Sequence, residues 1–331
     1  MATWVEEAGT ASSSDLPDAA DPQVPDPEIT VPAGPPGNKR GRWRRPHSPT
    51  GGATGSIVPF PPLQQMATDW MEIERHRHIM HGLFEVDVTE ARKAIRAYRA
   101  RTGSPLSLTA FLIACLARAV DADKAMQAYR LGRRRQVQFD AVDVGIMVEH
   151  EVDGARIPVG AVIREANRKG LAQIQQEIRA AQDGDPGDVA MHTPPGWLRP
   201  LLARGLAAWL ALPAWLRRAV WAWALRDPYR RKRIAGTVGL TSVGTFGRGI
   251  GWGIAPMNHT TTLVVGGLAR KPGLIDGRIE AREFLCLTLT LDHDIIDGAP
   301  AARFVRRLTE LIESGAGLQD TGEERVPVVA P

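Results

Sequence analysis

Strand-like and helical patterns follow one another through most of this chain, and they limit the folds that it can adopt. Apolar alternation and short apolar runs predict strands at residues 81–88, 142–149, 157–163, 237–243, 262–268 and 285–291. Helices are predicted after the capping residues Thr89 and Ser107, from Leu171 to Ala181, and from about Ala299 to Glu313. Because the order is not a strict βαβ alternation, we expect an α/β protein of the α+β two-layer sandwich type, with helices covering a mixed sheet.

The ends of the chain differ in composition from its middle. The N-terminal run ASSSDLPDAADPQVPDPEITVPAGPPG is rich in proline, glycine, serine and acidic residues, and it has no apolar periodicity. We therefore predict disordered tails at residues 1–60 and 316–331, on either side of a folded domain at 61–315. The basic run Lys39–Arg45 suits either a nucleic-acid contact or a solvated linker. We favour the linker, so no nucleic-acid partner is expected.

The overall composition is that of a globular protein. Hydrophobic residues make up 44% and charged residues 24% of the chain, which is enough for a sizeable core. Cys115 and Cys286 lie in apolar segments, which predicts buried free thiols in a reducing compartment. The N-terminus has no signal-peptide pattern, and no uncharged apolar run reaches the roughly 18 residues of a membrane span. We expect a cytoplasmic protein, whose net charge of +4 suits an anionic ligand.

One histidine occupies a position that is suited to chemistry. The strand at 285–291 leads directly into Asp292-His-Asp-Ile-Ile-Asp-Gly298, and a helix follows. On such a strand-to-helix turn, His293 can present one ring nitrogen to a ligand while a neighbouring acceptor holds the other. His293 and Asp297 could instead be metal ligands, but no second cluster completes a site, so no metal is expected. The acidic residues of the turn could also be simple helix caps.

The whole C-terminal segment LTLTLDHDIIDGAPAARFVRRLTELIES resembles the signature of the catalytic domain of dihydrolipoamide acyltransferases, the acyltransferases of 2-oxo-acid dehydrogenase complexes. Chloramphenicol acetyltransferases share its His-x-x-x-Asp-Gly core. The resemblance extends from about His78 to Glu313 and includes HGLFEVDVTEARKAI and GTVGLTSVGTFG. It implies a chloramphenicol acetyltransferase-like fold and an enzyme that transfers an acyl group between coenzyme A and a thiol such as dihydrolipoamide.

The resemblance also implies roles for individual residues. His293 matches the general base that takes the proton of the thiol, whose pKa is ordinarily near 8.5. Thr241 matches the hydroxyl that stabilises the tetrahedral oxyanion, and Ser242 is the alternative if the alignment is shifted by one residue. Asp297 matches the residue that supports the active-site turn. Asp294 is a departure, because the family usually has arginine there, and we expect it to raise the imidazole pKa or to disturb an ion pair.

The family further implies partners and substrates. Its catalytic domains form homotrimers in which base and oxyanion donor meet across a subunit boundary. Acyl-coenzyme A is then a substrate, and its contacts are unknown from the sequence. We find no lipoyl domain upstream and expect a stand-alone catalytic domain with no lipoyl group of its own, served by an acyl-carrier or lipoyl-bearing protein. A catalytically inactive scaffold with the same fold is the alternative, supported by Asp294 and the absent carrier domains.

A helical insert at residues 192–233 leaves the family pattern. It is rich in tryptophan and arginine, has no acidic residue before Asp227, and is divided by Pro213. The insert suits a lid over the substrate, a helical hairpin that stabilises the trimer, or membrane contact through residues 194–230. We rank packing or a lid above membrane contact. A membrane-associated adaptor is therefore a third hypothesis for the function.

Overall fold

The computed structural model describes Val58, Phe60 and residues 62–152, 155–184, 205, 208–209, 211–243, 249–256 and 259–318. The tail predicted at 1–60 therefore lies almost entirely outside the described residues, as does most of the tail predicted at 316–331. The described fold continues as far as Leu318, whose side chain is buried in the core. The folded domain thus extends past the predicted boundary at residue 315.

The described residues form helices and strands in mixed order. The helices are α1 (Pro62–Glu74), α2 (Thr89–Thr102), α3 (Leu108–Ala122), α4 (Leu171–Asp183), α5 (Ala214–Leu225), α6 (Pro228–Ala235) and α7 (Gly298–Glu313). The strands are β1 (Ile79–Asp87), β2 (Tyr129–Leu131), β3 (Arg135–Val137), β4 (Val144–Val152), β5 (Ala155–Ile163), β6 (Val238–Ser242), β7 (Thr261–Ile275) and β8 (Arg278–Asp292).

The main sheet is mixed, as the sequence predicts. Its strands lie in the order β1-β8-β7-β6-β4-β5. Strand β6 is parallel to both of its neighbours, and the other pairs are antiparallel. The short strands β2 and β3 form a separate hairpin that the sequence analysis did not predict.

The core lies between one face of the main sheet and the helices. Alternate residues of β8 from Leu285 to Leu291 are buried leucines that belong to this core. Helix α3 is buried on nearly all sides, which explains its apolar sequence. Its first turn is capped by Ser107, whose hydroxyl accepts a hydrogen bond from the backbone N–H of Ala110 at 3.1 Å. The predicted cap at Ser107 is therefore confirmed.

Two local predictions need correction or completion. Thr89 does not cap α2, because it is the first helical residue and its hydroxyl donates to Asp87 at 2.6 Å. Strands β7 and β8 extend beyond the predicted segments as a long hairpin. Its turn places Asp276 and Gly277 at φ values of 48° and 77°, as a two-residue hairpin turn requires.

Cys115 and Cys286 are buried free thiols, as expected, and burial raises the pKa of Cys115 to about 12.

The described part of the insert is helical and packs against α1. Pro213 precedes α5, which agrees with the predicted division into two helical stretches, while residues 192–204 lie outside the described part of the chain. The ring of Trp221 in α5 meets Trp70 of α1 edge to face, with 5.3 Å between centroids. Within the described residues, every helix falls short of the length and apolar character needed for a bilayer span.

A buried carboxylate fixes the insert to α1. Asp69 is only 2% exposed, and it accepts hydrogen bonds from Arg217 at 2.7 Å and from Arg218 at 3.0 Å. Burial alone would raise the pKa of Asp69. The hydrogen bonds and charges of the two arginines outweigh that effect, so the pKa of Asp69 is below its ordinary value. The ionised carboxylate is therefore stabilised in the folded protein.

We expect Asp69→Asn to lower the free energy of unfolding by about 3 kcal/mol at pH 7, because Arg217 loses its buried anionic partner. The folded-state pKa of Asp69 lies below the unfolded value of about 3.9, so this stabilisation is lost as the pH falls through the folded pKa. The difference in melting temperature between wild type and variant should therefore be large at pH 7 and shrink below about pH 4. Asp140→Asn, at an exposed position, is the matched control. A difference that grew on acidification would contradict this account.

Candidate active site

The turn that carries His293 is held by backbone hydrogen bonds. The N–H of His293 donates to the carbonyl of His78 at 2.7 Å. The N–H groups of Ile295 and Ile296 both donate to the carbonyl of Asp292 at 3.0 Å, and the Ile296 side chain is buried. The His293 side chain itself is exposed. The fold thus fixes the backbone of His293 and leaves its imidazole accessible.

A chain of buried charges lies directly beneath this turn. Arg231 of α6 donates to the carboxylate of Glu74 in α1 at 2.9 Å. The other oxygen of Glu74 pairs with Nε of Arg77, and Nη1 of Arg77 donates to Asp292 at 3.1 Å. The second oxygen of Asp292 accepts the backbone N–H of Asp294 at 3.0 Å. These four residues, which we call the charge chain, connect the insert to the backbone of the histidine turn.

The charge chain is withdrawn from water. Glu74, Arg231 and Asp292 are buried, and Arg77 is half-buried. Burial raises the pKa of Asp292, an effect that the charge of Arg77 opposes, and burial lowers the pKa of Arg77. Each charged side chain therefore depends on the oppositely charged members of the charge chain that it contacts for compensation.

Asp294 lies at the surface beside the histidine. Its carboxylate contacts Nδ1 of His78 at 2.7 Å and Nη1 of Arg130 at 3.4 Å. The hydrogen bond with His78 and the charges of His78 and Arg130 lower the pKa of Asp294. The carboxylate at the position where arginine was expected therefore has two partners of its own, the His78 ring and the Arg130 guanidinium. The expected effect of Asp294 on the imidazole pKa stays a prediction.

A cavity of about 140 Å³ adjoins the turn. Four groups of residues line it: the turn itself, the charge chain, the insert and strand β2. They are Arg77, Tyr129, Arg130, Leu225, Pro228, Arg231, Asp292, Asp294 and Ile295. The insert thus forms one wall of a cavity that the histidine turn also lines, although His293 itself is not among its lining residues.

Asp297 occupies the N-cap position of α7. Its backbone carbonyl accepts the N–H of Ala301 at 3.1 Å, and its exposed side chain makes no capping hydrogen bond. A carboxylate at a helix N-terminus is electrostatically favourable. The position agrees with a role in supporting the turn, and that role stays a prediction.

Thr241 lies far from His293 within one chain. Thr241 in β6 pairs with Val264 of β7, and Val264 pairs with Thr288 of β8, five residues before His293. This register separates the two positions by roughly 16 Å along the strands and about 10 Å across them. The structure therefore does not bring the predicted base and oxyanion donor together in a single chain.

The alternation of β6 distinguishes Thr241 from Ser242, because successive side chains point to opposite faces of the sheet. Leu240 faces the helical core, so Thr241 lies on the opposite face. There it shares the surface with Thr262 and Thr288, whose buried hydroxyls have no hydrogen-bond partner among the described residues. Thr241 therefore lies next to other hydroxyl groups on this face, whereas Ser242 lies on the face of the sheet that carries Leu240.

His259 lies near these threonines, and its role is structural. Its Nε2 lies 2.9 Å from the carbonyl of Ala235. Burial lowers the pKa of His259 to about 4, so the ring is neutral at pH 7 and donates from Nε2. A Cβ at Gly239 would lie 2.7 Å from Nδ1 of this ring, so only glycine fits beneath it.

The sequence analysis did not identify Glu74, Arg77 or Arg231 as part of the site. Glu74 and Arg77 are three residues apart in a charged stretch, a pattern that exposed helices commonly show. Arg231 lies in a basic run of the insert. Nothing in these patterns indicates that the three side chains are buried together. Among the described residues, no group of three or more histidine, cysteine or acidic side chains could hold a metal ion.

The chain is similar to known acyltransferase components. The family model described as 2-oxoacid dehydrogenases acyltransferase (catalytic domain) matches residues 57–185 and 233–318. A dihydrolipoyllysine-residue succinyltransferase component of the mitochondrial 2-oxoglutarate dehydrogenase complex from Saccharomyces cerevisiae is 35% identical over 78 residues, which are 24% of this chain and 17% of that protein. A lipoamide acyltransferase component of the branched-chain alpha-keto acid dehydrogenase complex from Pseudomonas putida is 30% identical over 89 residues, 27% of this chain and 21% of the relative. The matched segments thus span about a fifth of these curated relatives.

Solved structures share the fold at lower sequence identity. A probable dihydrolipoamide acetyltransferase from Listeria monocytogenes has a TM-score of 0.54 and 19% identity, covering 78% of this chain and 95% of the other. A truncated catalytic core of the 2-oxoacid dehydrogenase multienzyme complex from Thermoplasma acidophilum has a TM-score of 0.54 and 22% identity, covering 79% and 100%. The expected fold is therefore confirmed. Because the family model matches most of the chain on both sides of the insert, the protein belongs to the family of 2-oxoacid dehydrogenase acyltransferase catalytic domains.

Proposed function

We propose that this protein is an acyltransferase that moves an acyl group between coenzyme A and a thiol such as dihydrolipoamide. His293 is the general base, and Thr241 of a neighbouring subunit donates to the oxyanion. The observation that carries the proposal is the His293 turn, whose backbone is fixed from both sides while the imidazole is exposed. Family membership supports the same reaction class.

The chemistry requires a base and a hydrogen-bond donor on opposite sides of a reacting carbonyl. The imidazole of His293 takes the proton of the attacking thiol, and the sulfur adds to the carbonyl carbon of the thioester. The oxyanion that forms accepts a hydrogen bond from the Thr241 hydroxyl. The intermediate then collapses, expels the coenzyme A thiolate, and the imidazolium returns its proton to that sulfur. The residues are regenerated and the acyl group has changed carriers.

A subunit boundary is the place where these two groups can meet. Within one chain they are too far apart to contact the same reacting carbonyl, and His293 is exposed whereas Thr241 is partly buried. A homotrimer supplies the missing half of each site from its neighbour. Large exposed apolar side chains on β1, Ile79 and Leu83, are suited to burial in such an assembly. A separate lipoyl-bearing protein would present the acceptor thiol.

The substitutions His293→Ala and Thr241→Val should each reduce turnover by at least about a hundredfold, because one removes the base and the other the oxyanion donor. Turnover is measured as release of free thiol from acyl-coenzyme A in the presence of dihydrolipoamide. Ser242→Ala is the matched control for Thr241→Val and should keep most of the activity. If the intact protein turned over no acyl donor, the catalytically inactive scaffold would be favoured instead.

Mixing the two inactive variants tests the subunit boundary. When equal amounts of His293→Ala and Thr241→Val chains are unfolded and refolded together, about a quarter of the interfaces should carry an intact His293 facing an intact Thr241. Activity should therefore return to about a quarter of the wild-type value. If the mixture stays as inactive as its components, the two residues do not share a site across the interface.

The charge chain should matter for turnover because it holds the backbone of the histidine turn. We expect Glu74→Gln to lower the free energy of unfolding by about 3 kcal/mol, since it leaves Arg77 and Arg231 short of a buried anion. It should also reduce kcat more than it changes KM, because the base is displaced while the binding surfaces remain. Glu72→Gln, on the same helix and in an exposed pair with Arg75, should change stability by less than about 1 kcal/mol. Equal turnover in the two variants would contradict a positioning role.

A further inference from the structure

The outer face of the insert is aromatic and exposed. Trp215, Ala219 and Trp223 follow one another at intervals of four residues along α5 and are all exposed, the two tryptophans by 70% and 60%. Tyr229 at the start of α6 is also exposed. We call these four residues the aromatic face. An exposed patch of this kind is typical of an interaction surface.

The aromatic face is not needed to hold the insert in place. The opposite side of α5 carries Arg217, Trp221 and Leu225, which make the contacts with α1 and the cavity. Since those inward contacts anchor the helix, the tryptophans on the other side add little to folding. The insert as far as Lys232 also lies outside the two segments that the family model matches, so the aromatic face is an addition to the family pattern.

Basic residues surround the aromatic face. Between Ala214 and Ala235 the sequence has seven arginine or lysine residues and one acidic residue, Asp227. Four of the basic residues pair with carboxylates of other elements, namely Arg217, Arg218, Arg231 and Lys232. Arg226 and Arg233 are exposed. The guanidinium group of Arg230 lies over the ring of Trp223, 4.3 Å from its centroid. A partner of this surface must therefore offer negative charge beside an apolar layer.

We propose that the aromatic face docks on an anionic lipid surface. Tryptophan and tyrosine favour the boundary between hydrocarbon and water, and arginine favours anionic head groups. The helices α5 and α6, with 12 and 8 residues, are too short to cross a bilayer and are suited to lying flat in its interface. A second copy of the same face is a poor partner, because its arginines would be placed opposite these arginines. This inference goes beyond the proposed acyl transfer and does not depend on it.

Flotation of the protein with vesicles tests the proposal. We expect the wild type to float with vesicles of phosphatidylcholine containing about one third phosphatidylglycerol, to float far less with phosphatidylcholine alone, and to be released by high salt, because surface charges are screened. The double variant Trp215→Ser/Trp223→Ser should lose most of this binding. The double variant Arg226→Gln/Arg233→Gln should bind about fivefold more weakly for each arginine removed.

The matched control is Leu274→Ser/Ile279→Ser, which removes two apolar side chains that are 73% and 79% exposed on the β7–β8 hairpin. It should float like the wild type. The melting temperature and native mass of every variant are measured alongside. The proposal is overturned if the wild type does not float, if it floats equally with neutral vesicles, or if the tryptophan variant floats as well as the control. A tryptophan variant with a smaller native mass would overturn it too, since the face would then be a subunit contact.

Discussion

The buried pairing of Glu74 with Arg77 and Arg231 is the interaction on which the rest of this structure depends. It connects α1, the insert and the end of β8, three parts of the chain that are distant in sequence. Because these side chains are largely out of water, each depends on its neighbours to compensate its charge. The backbone of the His293 turn is attached to the same network through Asp292. The position of the candidate base is thus set by residues of three separate elements.

The sheet explains why the site is divided. Strand β8 ends at the turn with His293, whereas Thr241 lies two strands away, level with Thr288 and roughly 16 Å short of that turn along the strands. A single chain therefore presents half of a site at each of two places. The insert adds a wall to the cavity beside His293 on its inner side and an aromatic surface on its outer side. The helices α5 and α6 thus contribute both to the cavity and to the exposed aromatic face.

The sequence predicted the regular parts of the fold and the turn that carries the candidate base. The alternation from Leu285 to Leu291 identified the core strand, and the segment after it identified His293, because both signals are local. The hairpin beyond Leu268 was missed because its sequence, ARKPGLI in β7, lacks the apolar alternation that predicts a half-buried strand, although the burial of these residues does alternate. The charge chain was missed for a different reason. Glu74, Arg77, Arg231 and Asp292 read as surface charges, and only the tertiary fold brings them together away from water. Asp294 was noticed as unusual, but its partners His78 and Arg130 are invisible without the fold.

The charge chain also restricts how this protein can diverge. A single mutation that removes or reverses one of its four charges leaves a neighbouring charge without its partner in the protein interior. An unpaired charge there strongly destabilises the folded state. Such a mutation is removed by selection even when it touches no substrate. Change at these positions must therefore occur in pairs of opposite sign, or through simultaneous replacement by apolar side chains of similar size. Homologous sequences that carry the insert should consequently show joint substitution at Glu74 and Arg231, while the exposed tryptophans of α5 vary independently of both.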